Sequence, residues 1–469
     1  MLWACVLLPH LALDGVLRHR PDDGPLVLVA GSANARTLVA VNTAAREAGL
    51  RVGQRLIAAQ ALLAHFEVLP YDKAATERWQ RFLAAVAYRY SSEVSLLPHA
   101  LVLEISRSMG LFGPWPRLAA MLRVDFDALG FRQRIAVAPT AHAAWVLAGI
   151  GDGQAVLTNA ALRPALQRVS VRKSHLPDAA TEALPGMGIR TLGQLLSLPR
   201  DGLRRRFGTE LLTVLDRLIG DQPAGLVAWR PPDTFDLRIE LTHEVENLGA
   251  LIFPLRRMTS DLAVYLAGRD GGVQRFVLQL EHRDRPPTAV VVGLLAPERD
   301  AGMLFELARG RLEQIRLPGP VLGMRLLARD LPPFVPAGRD LFDERPAHAL
   351  PIEQLRERLR ARLGDQAVYQ LGSTTDPRPE LAQTVAVAAG ADATHERHPR
   401  PSWLFARPLP LRGAPPRILA GPERLETGWW DGGEVCRDYY VIETSLGQRA
   451  WAFCAPGEQS GWMLHGWFA

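Results

Sequence analysis

The start of the chain constrains the fold most, because it reads as a buried strand followed at once by a helix. Residues 2–8 (LWACVLL) are apolar throughout, which is typical of a central strand covered on both faces. Pro9 and His10 end this run. The apolar face of the helix that follows consists of Leu11, Leu13, Val16 and Leu17. We therefore predict a first domain organised around this strand and helix.

Length and charge limit the kind of protein this is. A chain of 469 residues is too long for one hydrophobic core, so several domains are expected. The net charge of +5 permits nucleic-acid binding but does not require it. Three widely spaced cysteines predict neither disulfides nor a zinc site, which fits a reducing cytosol. We expect no signal peptide and no membrane span, because the first apolar run stops at Pro9 and no other is long enough.

Residues 184–189 (LPGMGI) are typical of the turn in a helix-hairpin-helix motif. Gly186 and Gly188 let the backbone turn tightly and let its N–H groups approach a DNA phosphate unobstructed. The alternative is a packing turn between two helices. Arginines that would add to a DNA contact are Arg190, Arg204, Arg205 and Arg206.

Residues 234–330 follow the order strand, helix, strand, strand, helix, strand. In the second strand, Phe276, Leu278 and Leu280 alternate with residues such as Arg275 and Gln279, as expected of a half-buried sheet.

Together these segments resemble the Y-family (UmuC/DinB-like) translesion DNA polymerases. The resemblance implies an α+β multidomain fold of palm, fingers, thumb and little finger, followed by a C-terminal extension with a small β-rich unit. The helix-hairpin-helix belongs to the thumb, and the βαββαβ segment is the little finger. The implied bounds are 1–23 and 73–165 for the palm, 24–72 for the fingers, 166–232 for the thumb, 233–335 for the little finger, 336–345 for a clamp-binding linker and 346–469 for a partner-binding region.

In this family the open face of the little-finger sheet follows the DNA backbone. Arg238, Arg275 and Arg325 are therefore candidate phosphate partners. The alternative for each is a solvated surface charge.

The family's palm holds Mg²⁺ with acidic residues at two strand ends, and the matching positions here carry no carboxylate. At the first strand end these positions hold Leu8 and His10. At the second, the acidic pair falls on Pro98 and His99 or, one residue later, on His99 and Ala100. The resemblance therefore implies a palm with no catalytic residues, no metal ligands and no cofactor.

The family's contacts to the incoming triphosphate are also reduced. Thr43 takes the place of a tyrosine in the fingers, and Trp145 takes the place of a lysine in the palm. Arg46 keeps the family's arginine. It is a residual nucleotide-site residue, or else a solvated helix residue.

Asp125 and Asp127 could be read as a displaced Asp-x-Asp metal motif. The apolar residues around them recur at helical spacing, and Gly130 follows as a helix stop. Because residues two apart on a helix point to different sides, we predict two surface carboxylates instead.

Residues 338–342 (GRDLF) resemble bacterial clamp-binding peptides. Asp340, Leu341 and Phe342 match the usual pattern, and Gly338 replaces its glutamine. The alternative is that Leu341 and Phe342 pack against the little finger.

The aromatic-rich tail resembles the C-terminal block of the non-catalytic Y-family homologues of bacterial mutasome systems. Residues 421–431 (GPERLETGWWD), 437–441 (RDYYV) and 464–469 (LHGWFA) carry this resemblance. It implies a cytoplasmic scaffold for SOS-induced mutagenesis and DNA repair, nucleoid-associated on damage. The implied partners are DNA, the β sliding clamp, an error-prone replicative-type DNA polymerase and a RecA or RecA-like protein.

Two alternatives stay open. One is an active translesion polymerase with relocated metal ligands, and the other is a helix-hairpin-helix DNA-binding repair module. A hydrolase is disfavoured, because no catalytic spacing stands out among the twelve histidines.

Overall fold

The computed structural model describes residues 1–18, 20, 24–32, 35–335, 352–364, 367–374, 376–386, 400–413 and 415–468. They form two compact units, Met1–Arg362 and Leu363–Ala469. Helices and sheets share the first unit, and strands dominate the second, so the predicted α+β class is confirmed. No helix among these residues is long and apolar enough to cross a membrane.

The segments predicted as palm and fingers contain two sheets. In chain order their elements are β1 (Trp3–Leu7), α1 (Leu11–Leu17), β2 (Leu26–Ala30), β3 (Thr37–Val41), α2 (Thr43–Glu47), α3 (Leu56–Leu62), β4 (Glu67–Pro70), α4 (Lys73–Ala87), β5 (Val94–Leu97), β6 (Ala100–Glu104), α5 (Ser108–Phe112), α6 (Trp115–Ala128), β7 (Arg134–Ala138) and α7 (Ala141–Ile150).

The strand predicted from the first residues is central in its sheet, whose order is β5-β6-β1-β7. Both neighbours run antiparallel to β1. Ala4 and Val6 join a core with α4 and α6, whereas Cys5 joins a second core with α7. Burial on both faces explains why the run is apolar at every position.

The smaller sheet has the order β3-β2-β4, with β3 antiparallel and β4 parallel to β2. Asn42 begins α2 by accepting a hydrogen bond from the Ala45 amide (2.9 Å), and it also accepts one from the Leu26 amide (3.0 Å). These two bonds fix α2 against β2 and thereby position Arg46.

The predicted thumb is helical. Its elements are α8 (Asn159–Leu166), a short 3₁₀ turn (Val171–Lys173), α9 (Asp178–Gly186), α10 (Leu192–Leu196) and α11 (Arg200–Ile219). Helices α9 and α10 flank the predicted hairpin, and α11 bends at Gly208 (φ +79°).

The βαββαβ order predicted for residues 234–330 is confirmed. The elements are β8 (Phe235–Val245), α12 (Leu248–Gly268), β9 (Val273–Glu281), β10 (Thr288–Glu298), α13 (Ala301–Leu312) and β11 (Val321–Ala328). The antiparallel sheet has the order β10-β9-β11-β8. A further helix, α14 (Ile352–Leu363), lies beside α13, where the Gln314 side chain donates to the Ala361 carbonyl (2.7 Å).

Helix α12 also packs on α4 of the palm. A Cβ added at Gly268 would lie 2.0 Å from the Ala85 carbonyl oxygen, so only glycine permits this approach. Palm and little finger therefore share one continuous hydrophobic core within the first unit.

The second unit confirms the predicted small β-rich unit. Its strands are β12 (Gln370–Ser373), β13 (Gln383–Ala386), β14 (Trp403–Pro410), β15 (Arg417–Thr427), β16 (Val435–Glu443), β17 (Arg449–Cys454) and β18 (Met463–Trp467). Strands β12 and β13 pair with each other, and the others form a sheet in the order β14-β18-β17-β16-β15.

Candidate functional site

The two strand ends at which the family would hold metal ions meet in the structure. The Leu8 amide donates a hydrogen bond to the His99 carbonyl (2.8 Å), and Leu7 lies opposite Ala100 in the sheet. Leu8 is fully buried, and His99 turns the chain with φ +51°. An apolar side chain and an imidazole side chain therefore belong to the two residues that meet here.

The charge around this point is positive. Burial, followed by Arg132, lowers the pKa of His10, and Arg46 and Arg134 act in the same direction. The Asp14 carboxylate acts in the opposite direction and raises the pKa of His10. Asp14 accepts hydrogen bonds from the Arg132 guanidinium (2.6 and 2.8 Å) and from the Arg132 backbone amide (2.9 Å).

These residues do not fit a magnesium site. Hard divalent cations require several oxygen ligands, and the carboxylate that acts on His10, that of Asp14, is already bound by Arg132. Within the described ranges, no group of three or more His, Cys, Asp or Glu side chains could hold a metal ion.

Asp125 and Asp127 lie on α6, so the predicted helix is confirmed. Asp125 accepts a hydrogen bond from the Tyr90 hydroxyl (2.6 Å), and Asp127 accepts one from the Gln133 side chain (3.1 Å). Burial and the Asp125 contact raise the pKa of Tyr90. Each carboxylate thus has a separate structural partner.

Trp145, which the resemblance aligned with the family's triphosphate-binding lysine, lies in the second core. Its indole is 9% exposed and stacks on the His175 imidazole, with ring centroids 3.5 Å apart and planes 3° apart. Burial lowers the pKa of His175 to about 4, so a neutral ring packs on the indole at neutral pH. Arg46, by contrast, is exposed on α2.

The helix-hairpin-helix turn is present, and its glycines are exposed. Gly188 has φ +82°, and a Cβ at Gly186 or Gly188 would meet no heavy atom within 4 Å. Neither glycine is therefore covered by another part of the described chain.

The hairpin amides, however, are already used. Each N–H from Met187 to Gln194 donates to an acceptor within the thumb; Leu192 and Gly193, for example, donate to the carbonyls of Val169 (2.8 Å) and Gln167 (3.1 Å). A phosphate would have to share an occupied amide or contact side chains. The four arginines predicted to add to a DNA contact, Arg190, Arg204, Arg205 and Arg206, are all exposed.

The open face of the little-finger sheet carries balanced charge. Arg238 forms an ion pair with Glu281 (2.7 Å), and Arg325 forms one with Asp236 (2.6 Å). Arg275 is exposed on the same face. Two of the three candidate phosphate partners are thus already neutralised by carboxylates, a feature the sequence pattern could not reveal.

The chain matches known proteins along most of its length. The impB/mucB/samB family pattern matches residues 16–149. Protein ImuB of Caulobacter vibrioides (strain NA1000 / CB15N) is 28% identical over 462 residues, covering 90% of this chain and 100% of the relative. The chain is thus similar to ImuB along most of its length. Protein ImuB of Caulobacter vibrioides strain ATCC 19089 / CIP 103742 / CB 15 matches to the same extent.

Solved structures of polymerases are also similar. The Y-family DNA polymerase chimera Dbh-Dpo4(243-245)-Dbh is 13% identical, with a TM-score of 0.43, covering 70% of this chain and 98% of that chain. DinB from Sulfolobus solfataricus is 13% identical, with a TM-score of 0.40, covering 71% of this chain and 100% of that chain. The relationship itself rests on the ImuB sequence match.

Two features of this ImuB-like chain had no signal in its sequence. One is the stack of Trp145 on His175, and the other is the use of the hairpin amides by Gln167 and Val169. Both join segments that are distant along the chain. The predicted clamp peptide, with Gly338, Asp340, Leu341 and Phe342, lies outside the described residues.

Proposed function

We propose that this protein is a non-catalytic, polymerase-like scaffold in SOS-induced mutagenic translesion synthesis and DNA repair. It bridges the β sliding clamp, an error-prone replicative-type DNA polymerase and a RecA or RecA-like protein. It acts in the cytoplasm and associates with the nucleoid on damage.

The observation that carries the proposal is the composition of the two strand ends that meet in the palm. Phosphoryl transfer by two metal ions needs carboxylates that converge on ions about 4 Å apart. Leu8 and His99 occupy this point, and the arginines around His10 repel a divalent cation. Without such ions, the attacking hydroxyl and the triphosphate have nothing to align or neutralise them.

Primer extension with the pure full-length chain tests this, with Mg²⁺ or Mn²⁺ and all four deoxynucleotides. We expect no template-directed incorporation. The Asp125→Ala variant serves as a control, because Asp125 belongs to the Asp-x-Asp pattern that could be read as a displaced metal motif. Incorporation that disappears in this variant would establish an active polymerase, whereas equal incorporation by both would indicate a contaminant.

DNA binding is proposed to occur through arginine side chains of the thumb and through Arg275. Because two arginines of the little-finger sheet are ion-paired, fewer phosphates are neutralised there than the count of arginines suggests. Fluorescence anisotropy at several salt concentrations measures the number of phosphate contacts. Each contact contributes about 0.9 to the slope of the logarithm of the binding constant against the logarithm of the salt concentration for duplex DNA. Arg204→Ala and Arg205→Ala should each lower this slope, whereas Arg309→Ala, which removes an exposed arginine paired with Glu313 (2.7 Å), should not.

The clamp contact is proposed to lie at residues 338–342, and the contacts to the other protein partners are proposed to lie in residues 346–469. The division into compact units after Arg362 supports a separable tail. Deleting residues 403–469 should abolish co-purification with the polymerase or RecA-like partner. Retention of both partners by the shortened chain would contradict the tail assignment.

A further inference from the structure

The turn between β15 and β16 exposes two adjacent tryptophans. Trp429 is 77% exposed and Trp430 is 56% exposed. Their rings meet edge to face, with centroids 5.7 Å apart and planes at 81°. Exposed tryptophans of this kind are typical of interface anchors, because they bury a large apolar area and lose little side-chain entropy on binding.

A buried arginine stabilises the turn by hydrogen bonds. Arg378 is 6% exposed. Its guanidinium donates to both carboxylate oxygens of Asp431 (2.5 and 3.1 Å), to the Gly433 carbonyl (3.2 Å) and to Asp376 (2.7 Å). Gly428 adopts φ +85°, and a Cβ there would lie 2.3 Å from the Gly433 carbonyl oxygen. The turn is thus ordered before any partner arrives, which lowers the entropic cost of binding.

The turn and its support are acidic. Four carboxylates, on Asp376, Glu426, Asp431 and Glu434, stand against the one guanidinium of Arg378. The other arginines on the adjoining strands do not change this balance. Arg424 pairs with Asp438 (2.8 Å), and Arg437 pairs with Glu380 (3.2 Å).

This charge selects the kind of occupant. Tryptophan pairs can stack on the bases of single-stranded DNA, but such sites use a positive groove to track the phosphates. Here a phosphate backbone would be repelled. A lysine or arginine beside an apolar pocket would be attracted by the carboxylates and would also interact favourably with the indole faces.

We propose that the Trp429–Trp430 turn docks a protein partner through an apolar pocket rimmed by lysine or arginine side chains. The inference rests on the proposed scaffold role, because it assigns one of the scaffold's contacts to a defined surface. Glu434 and the two indoles form the contact, and Arg378 is a positioning residue.

The first step of the test identifies the partner. The full-length chain carries a photo-crosslinking phenylalanine analogue in place of Trp430, and DNA-damaged cells are irradiated. The control carries the analogue in place of Trp403, which is 67% exposed on strand β14 of the same sheet. A protein cross-linked from position 430 and not from position 403 is then purified and titrated directly.

The second step measures affinity. Trp429→Ala and Trp430→Ala should each weaken binding about 30-fold or more, as expected for anchor residues. Trp403→Ala should leave it unchanged. Glu434→Lys should weaken binding and reduce its salt dependence, and this variant changes only an exposed side chain. Circular dichroism of every variant checks the fold.

Several outcomes overturn the inference. They are equal affinity of wild type and the Trp429→Ala/Trp430→Ala variant, a single-stranded oligonucleotide cross-linked in place of a protein, and cross-linking to a second copy of this chain. The scaffold role is tested apart from this by clamp binding. If the double variant keeps clamp binding and also keeps its partner, only the assignment of the turn fails; if wild type binds neither clamp nor partner, the scaffold role fails as well.

Discussion

Replacing Asp261 with leucine should loosen the contact between the palm and the little finger. Arg18, at the end of α1, and Asp261, on α12, form an ion pair of 2.6 Å in which each side chain is 1% exposed. The Arg18 guanidinium lies 4.7 Å from the Trp79 ring centroid and 5.1 Å from that of Phe131. Asp261→Leu would therefore leave a positive charge enclosed by apolar groups.

The expected magnitude follows from this burial. Loss of one partner of a buried ion pair typically costs about 3–5 kcal/mol, whereas exchange of both partners for apolar residues is often neutral or stabilising. Burial lowers the pKa of Arg18 and raises that of Asp261. Moreover, Nε and Nη1 of Arg18 and Oδ2 of Asp261 have no hydrogen-bond partner among the described residues. The double variant Arg18→Met/Asp261→Leu should therefore be close to wild type.

Hydrogen exchange of peptides from α4 and α12, measured on the full chain, reports the free energy of local opening at this contact. A loss of about 3 kcal/mol in opening free energy accelerates exchange roughly 150-fold. Arg81→Met is the matched control, because it breaks an exposed pair with Glu77 (3.2 Å) and should change stability by less than about 1 kcal/mol. A double variant as unstable as Asp261→Leu alone would refute the reasoning.

Three further outcomes are expected. Gly186→Leu and Gly188→Leu together should weaken DNA binding in a gel-shift assay by obstructing the hairpin, and unchanged binding would place the contact elsewhere. Leu341→Ala/Phe342→Ala should abolish clamp pull-down without lowering the melting temperature, since each side chain contributes about 1.5–3 kcal/mol on full burial; marked destabilisation would instead favour packing on the little finger. Hydrogen bonds from its arginine partner lower the pKa of Asp438 to about 2, so this group stabilises the fold above about pH 4. That stability should be lost as the pH falls toward 2. In the Asp438→Asn variant, the melting temperature should therefore change less with pH over this range.

The sequence alone determined the elements and their local character. Continuous apolar residues predicted the buried strand at residues 2–8, because both of its faces are covered. Helical spacing placed Asp125 and Asp127 on α6 and so separated two carboxylates that could have been read as a metal motif. Alternation along β9 predicted a half-buried sheet. In each case the signal comes from neighbours in the chain, whose side chains are directed by the period of the backbone.

Tertiary structure alone decided how distant residues are paired. The meeting of Leu8 with His99, the ion pair of Arg18 with Asp261 and the support of the tryptophan turn by Arg378 each join segments far apart in sequence. The same holds for Arg238, whose charge is paired with Glu281 of a strand distant in the sequence. The residue type fixes a side chain's charge and size, but its partner depends on which strands and helices pack against one another. Whether a given charge is free, paired or buried is therefore set by packing over the whole domain.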